Sequence, residues 1–248
     1  MPARGGERRR FPGDGGFWPM RYERVVRGIF ARRLNRFVAE AVIGGRAETV
    51  HVKNTGRLKE LLVPGAEVSL AVAEHPGRKT RHSLVAVRKD GRWVNVDSQA
   101  PNAVLAEALA AGAVAELGRL DGWRREAVRG NSRFDFQFES EGRTGYMEVK
   151  GVTLVSDGVA LFPDAPTARG TKHLLELAAA AEAGCPGVVF FLVQMQGCRL
   201  FRPHEAMDGA FAGALRNAAR RGVKILAYDS RVTDAEITIG GPVDVDIG

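Results

Sequence analysis

The sequence predicts a two-domain α+β / α/β protein, a small β-barrel followed by a mixed-sheet domain. Three observations lead there. Residues 22–98 carry short strand patterns and a single helical turn. Residues 103–228 interleave helical and strand patterns. Between them lies a turn-rich junction, Asp97-Ser98-Gln99-Ala100-Pro101.

Residues 1–20 hold Arg4, Arg8, Arg9 and Arg10 among glycines and prolines and show no periodicity, so they read as a disordered basic tail. A phosphate-gripping arm is the other use for such a stretch, and Met20 is a candidate initiator. Residues 21–99 form the first domain. Strand patterns at 36–43 and 46–53 meet at Gly44-Gly45, a hairpin signal. Leu58-Lys59-Glu60-Leu61-Leu62 reads as one helical turn ended by Pro64-Gly65, and strand patterns follow at 67–73, 83–88 and 92–96. Five such strands and one short helix suit a closed barrel, for which the OB-fold is the natural candidate. Arg32, Arg33, Arg36, Lys53, Arg57, Lys59, Arg78, Lys79, Arg81 and His82 interleave with these strands. The aromatics are few, chiefly Phe30, Phe37 and Trp93, and Phe37 is expected in the core. A groove that tracks phosphates is therefore better supported than one that stacks bases. Asn54-Thr55-Gly56-Arg57 reads either as a phosphate-meeting loop or as a plain turn.

Residues 100–230 form the second domain. Asn102 is the expected N-cap of a helix over 103–117, ended by Gly118. Residues 123–129 are a strand leading into a hairpin, and 155–170 reads as a long loop of the kind that is often functional. Thr171 is the expected N-cap of a helix over 172–183, which places Lys172 and His173 in its first turn. Cations are disfavoured there unless an anion binds; a solvated lysine beside a buried histidine is the alternative. Val188-Val189-Phe190-Phe191-Leu192-Val193 is a continuous apolar run, hence a strand buried on both faces. Residues 203–221 read as a helix ended by Gly222, 223–228 as the last strand, and 231–248 as a C-terminal tail or edge strand.

The chemistry gathers in the hairpin. Phe134, Phe136 and Phe138 alternate with Asp135, Gln137 and Glu139, a period of two. A two-residue turn at Glu141-Gly142 pairs residues whose numbers sum to 283, which sets Asp135 opposite Glu148. Lys150 shares that face, while Phe134, Phe136, Met147 and Val149 are expected on the other. Two facing carboxylates repel unless a cation lies between them, and Mg²⁺ is commonly held by one or two carboxylates plus substrate phosphate. A neighbouring lysine can orient a water or steady charge on a phosphate. Glu-x-Lys also suits a surface hairpin whose lysine merely bridges two acids.

Composition narrows the classes. The 248 residues include 36 basic and 29 acidic side chains, a formal charge of +7 that suits a polyanionic partner. No apolar run is long enough to span a membrane, and no amphipathic anchor for a lipid surface stands out. The two cysteines, Cys185 and Cys198, make neither a disulfide framework nor a zinc motif, so a cytoplasmic location is expected.

Several ordered motifs carry a resemblance: Ser132-Arg133-Phe134-Asp135-Phe136, Glu148-Val149-Lys150-Gly151-Val152-Thr153-Leu154, Phe162-Pro163-Asp164-Ala165 and Arg169-Gly170-Thr171-Lys172-His173-Leu174. Upstream stand His51-Val52-Lys53-Asn54-Thr55-Gly56-Arg57-Leu58 and Asn95-Val96-Asp97-Ser98-Gln99-Ala100-Pro101-Asn102. Together they resemble the sugar fermentation stimulation protein (SfsA) family. The resemblance implies an N-terminal OB-fold, DNA binding, and a C-terminal domain like the PD-(D/E)xK nucleases. On that pattern Asp135 and Glu148 are the metal acids, Lys150 is the catalytic lysine, and Glu126 is a further candidate acid for Mg²⁺ or Mn²⁺. Arg36, Lys53, Asn54, Arg57, Lys59, Arg169 and Lys172 are the expected nucleic-acid contacts. The expected function is DNA binding with metal-dependent phosphodiester hydrolysis; the alternative is a catalytically inactive DNA-binding regulator of sugar metabolism genes.

Overall fold

The computed structural model describes residues 20–73, 77, 79–130 and 132–248; the basic stretch 1–19 and Arg78 lie outside the described residues. The first elements are β1 (Met20–Arg21), β2 (Val25–Arg33), β3 (Val38–Ile43), β4 (Arg46–Val52), β5 (Glu67–Val72), β6 (His82–Lys89) and β7 (Arg92–Asn95). Alternating residues such as Ala39, Ala41, Val50, Val52, Val68 and Leu70 are buried, so one face of each strand turns inward. The sheet runs β4-β3-β2-β5-β6-β7, and parallel pairing of His51 with Ser83 and Val52 with Leu84 closes β4 onto β6. The result is the expected OB barrel, but its five strands are β2–β6: β2, which the sequence reading did not include, completes it, and the expected strand 92–96 is β7, paired only with β6. Residues 58–62 form the expected single turn, with the N–H groups of Leu61 and Leu62 bonded to Leu58 O and three leucines sealing one end of the core.

Phe37 is not in that core. It is 49% exposed, with the Arg36 guanidinium 5.9 Å from its ring centre. The N–H groups of Leu34 and Asn35 bond Val38 O, and Asn35 Oδ1 accepts from Phe37 N–H. The chain therefore turns tightly before β3, and Phe37 falls outside the alternation.

The second domain continues with α1 (Ala100–Ala110), a 3-10 turn at Ala115–Leu117, β8 (Gly122–Arg129), β9 (Ser132–Ser140), β10 (Arg143–Val152), β11 (Leu154–Ser156), β12 (Val159–Phe162), α2 (Ala168–Glu182), β13 (Gly187–Val193), β14 (Leu200–Pro203), α3 (Gly209–Arg220), β15 (Lys224–Val232), β16 (Glu236–Pro242) and β17 (Asp244–Val245). Its main sheet has the order β1-β16-β15-β13-β10-β9-β8, with β13 parallel to both β10 and β15. Every residue of β13 is buried. Val188, Phe190 and Leu192 pack on the α1 side with Phe136 and Met147, whereas Val189, Phe191 and Val193 pack on the α2–α3 side. Burial on both faces is what the unbroken apolar run required. Among the described residues, no helix is long and apolar enough to cross a membrane.

Several sequence expectations change. Helix α1 begins at Ala100 with Pro101 in its first turn, so Asn102 lies inside it rather than capping it. Helix α2 begins at Ala168, because Thr167, not Thr171, accepts from Gly170 N–H at 3.1 Å. Residues 155–170 hold the β11–β12 hairpin of a second sheet, β11-β12-β14-β17, and 203–221 contain the end of β14 before α3, which Asp208 caps through Phe211 N–H at 2.9 Å. Of the two readings of the C-terminal stretch the strand holds: β16 pairs with β15, and Met20, grouped with the basic tail in the sequence, pairs with Ile237 on its outer edge.

The domains are fastened by buried polar contacts. Asp97, fully buried, accepts from Lys53 Nζ at 2.8 Å, Tyr22 OH at 3.2 Å and Gln99 N–H at 2.9 Å. Gln194, just after β13, donates to Asn95 Oδ1 at 2.8 Å and to Asp97 O at 3.1 Å. Gly151 is needed beside this network, because a Cβ there would stand 2.3 Å from Gln194 Oε1 and 2.8 Å from a Pro101 carbon.

Candidate metal centre and nucleic-acid groove

The hairpin β9–β10 has the expected register. Ser140 pairs with Arg143 and Phe136 with Met147, and the turn residues Glu141 (φ 51) and Gly142 (φ 72) both take the positive φ of a type I′ turn. Regular pairing stops just before Asp135 and Glu148. Asp135 Oδ2 instead accepts from Val149 N–H at 2.8 Å, and Oδ1 accepts from Asn102 Nδ2 of α1 at 2.8 Å. On the other edge, Arg125 pairs with Phe136 and Ala127 with Phe134, while Glu126 between them has φ 60. This irregularity splits the phenylalanines. Phe136 packs edge-on against Trp123 on the α1 side, but Phe134 packs against Tyr146 and His173 on the α2 side. The single apolar face expected for Phe134, Phe136, Met147 and Val149 is thus divided at Phe134.

Glu148 is 3% exposed. Its Oε1 accepts from Lys150 Nζ at 2.6 Å and faces His173 Nδ1 at 2.5 Å. A carboxylate only accepts, so Nδ1 carries the proton. Its Oε2 is buried with no hydrogen-bond partner. Burial pushes the Glu148 carboxyl up, but His173 and Lys150 outweigh it and hold the group below the ordinary glutamate range. Asp135 moves the opposite way: burial and then the charge of Glu148 raise it, against the hydrogen bonds from Val149 and Asn102 and the charge of Lys150.

These residues fit a divalent ion. An unpartnered buried carboxylate oxygen beside a second carboxylate is costly unless a cation or donor meets it. Among the described residues no three His, Cys, Asp or Glu side chains converge into a metal cage. The donor set therefore suits Mg²⁺ or Mn²⁺ completed by water and phosphate rather than an ion wholly enclosed by protein. Glu126 does not join the pair: its carboxylate is 3.0 Å from Arg133 and its side chain is 56% exposed.

The expected nucleic-acid contacts fall into three groups. Arg36, Arg57 and Lys59 are exposed and, with Arg33, line a groove of about 620 Å³ on the barrel. Arg33 builds its wall, donating to the carbonyls of Asn35, Arg36, Asn54, Gly56 and Arg57 at 2.7–3.2 Å. Lys53 and Asn54 have structural contacts: Lys53 reaches Asp97, and Asn54 Oδ1 accepts from Gly56 N–H at 2.7 Å. Arg169 and Lys172 are exposed near the start of α2, Lys172 at 3.7 Å from Glu176. Because α2 starts earlier than expected, Lys172 and His173 lie past its first turn. Asp164, just ahead of α2, accepts from Arg57 N–H at 3.2 Å, so the basic loop of the barrel abuts the loop that delivers Arg169 and His173.

Asn102 and His173 are site residues the sequence read in other roles, Asn102 as a helix cap and His173 as either an anion contact or a buried histidine, of which the buried histidine holds. Both stood within quoted motifs, but only the packing of α1 and α2 against opposite faces of the hairpin brings them to Asp135 and Glu148.

Comparison with known proteins agrees with this architecture. Residues 31–96 match the SfsA N-terminal OB domain and residues 99–236 the sugar fermentation stimulation protein RE domain. A sugar fermentation stimulation protein homolog from Alkaliphilus oremlandii is 47% identical over 232 residues, covering 92% of this chain and 99% of the relative. One from Desulfitobacterium hafniense is 47% identical over 226 residues, covering 91% and 98%. The solved structure of Pyrococcus furiosus SfsA in complex with Ca²⁺ superposes with a TM-score of 0.83 at 28% identity, covering 92% of this chain and 99% of that one. The chain belongs to the sugar fermentation stimulation protein (SfsA) family.

Proposed function

We propose that this protein binds DNA and hydrolyses its phosphodiester bonds with Mg²⁺ or Mn²⁺ held by Asp135 and Glu148. The observation that carries this reading is the division of labour on Glu148: Oε1 is occupied by Lys150 and His173, while Oε2 is buried and unpartnered. The order Asp135, Glu148-Val149-Lys150 resembles the PD-(D/E)xK nucleases, and a related SfsA has been solved with Ca²⁺. A divalent ion there would polarise the scissile phosphate and acidify an attacking water. Lys150 gives one of its three donors to Glu148, leaving others to orient that water or a phosphate oxygen. Asn102 and the Val149 N–H fix the orientation of Asp135.

The test is incubation of the protein with labelled single- and double-stranded DNA and RNA, with Mg²⁺, Mn²⁺ or EDTA. Metal-dependent cleavage of DNA is expected. DNA binding with neither cleavage nor a metal-induced thermal shift would leave the inactive regulator as the better reading.

Binding itself rests on the groove. Log affinity for DNA is expected to fall linearly with log salt, and Arg57→Ala with Lys59→Ala together should flatten that slope by about two. Equal slopes for the double variant and the parent would place the phosphate contacts elsewhere.

A further inference from the structure

We propose that His173 sets which divalent ion this site prefers: by occupying Glu148 Oε1 with Lys150, it confines the carboxylate to one ligating oxygen, Oε2, and favours small octahedral Mg²⁺ over Ca²⁺. The inference rests on reading Asp135 and Glu148 as a metal centre. Mg²⁺ demands six ligands at ~2.0–2.1 Å, whereas Ca²⁺ takes six to eight at ~2.3–2.6 Å and readily uses both oxygens of one carboxylate. Two-oxygen ligation by Glu148 would bring the ion against the N–H of His173 and the ammonium of Lys150, both already on Oε1 at 2.5 and 2.6 Å.

The two donors differ in how easily they yield. Lys150 sits on a flexible stem and can swing away. His173 cannot: it is 5% exposed, its ring meets Phe134 edge-on at 5.9 Å, and the next residue on α2, Leu174, is fully buried. The imidazole is therefore the rigid part of the restraint, and His173 is a positioning residue acting through Glu148. Asp135 is held differently, with Asn102 at Oδ1 and the Val149 N–H at Oδ2, one donor on each oxygen. The one-oxygen restraint therefore rests on Glu148, whose Oε2 alone is unpartnered.

The test is calorimetric titration of the full chain, without nucleic acid, with Mg²⁺ and separately with Ca²⁺, the ion in the Pyrococcus furiosus complex. The readout is the ratio of the Ca²⁺ to the Mg²⁺ dissociation constant. His173→Leu and His173→Ala both remove the donor, and folding is checked by circular dichroism so that either can serve if the other fails. His173→Asn offers an amide N–H close to the position of Nδ1. The wild type should bind Mg²⁺ more tightly. A folded donorless variant should lower the ratio about tenfold, within the range for losing an outer-shell partner of a metal ligand. His173→Asn should restore most of it. A wild type that binds both ions equally, or a folded donorless variant with an unchanged ratio, overturns the inference while leaving the metal centre standing. A wild type that binds neither ion overturns the metal centre itself.

Discussion

Glu148→Gln is expected to abolish metal-dependent cleavage while leaving DNA affinity in EDTA unchanged or slightly improved. The amide keeps the shape and can still accept from Lys150 and His173 through its oxygen. Its NH₂ then occupies the place of Oε2, so a donor points where the buried, unpartnered acceptor had been. The loss in kcat should reach at least about 10²–10³-fold, the range for removing one preorganised electrostatic group. Affinity in EDTA should not suffer, because the proposed phosphate contacts lie on the barrel groove and one carboxylate–phosphate repulsion disappears. Lys150→Ala should lose turnover yet keep the thermal stabilisation by Mg²⁺ that mass action gives any ligand of the folded state alone. Undiminished cleavage by Glu148→Gln in a single-turnover assay would remove Glu148 from the chemistry.

Asp97→Ala is expected to destabilise the whole protein by about 3 kcal/mol, the lower end of the cost of stripping one partner from a buried ion pair. Asp97 is fully buried and accepts from Lys53, Tyr22 and the Gln99 N–H. Burial, and then the charge of Asp97, push the Tyr22 phenol far above its ordinary range, so its hydroxyl remains a donor that needs an acceptor. The Lys53 side chain keeps 22% exposure and can reach water, which holds the cost at the lower end. These partners come from the N-terminal segment, the end of β4 and the start of α1, and Gln194 adds the end of β13 through the Asp97 carbonyl. The damage should therefore loosen the domain junction rather than one strand. Urea unfolding should show a lower midpoint, with a fall in Tm of about 6–12 °C for a chain of this size. A change within the roughly 0.5 kcal/mol of a surface substitution would show that the junction does not depend on this carboxylate.

By itself the sequence determined what depends on neighbouring residues: the two domains, most of the barrel strands, the buried strand β13, and the hairpin register from Ser140–Arg143 to Phe136–Met147. Period-two alternation and a Glu141-Gly142 turn with positive φ at both positions are local physics, legible without any partner. Tertiary structure decided the rest. The α2 cap moved because Asp208, from the segment before α3, accepts from Thr167 N–H at 2.8 Å and helps fix the start of α2. Between tail and edge strand, the C-terminal stretch became β16 because β15 and Met20 offered backbone partners on either side. Lys53 reads as a phosphate contact until Asp97, 44 residues away, takes its ammonium. Asn102 and His173 reach Asp135 and Glu148 only when α1 and α2 dock on opposite faces of one hairpin. Non-local contacts of this kind are set by which surfaces bury each other, and a linear pattern carries the apolar faces that drive the docking but not the side chains it brings together.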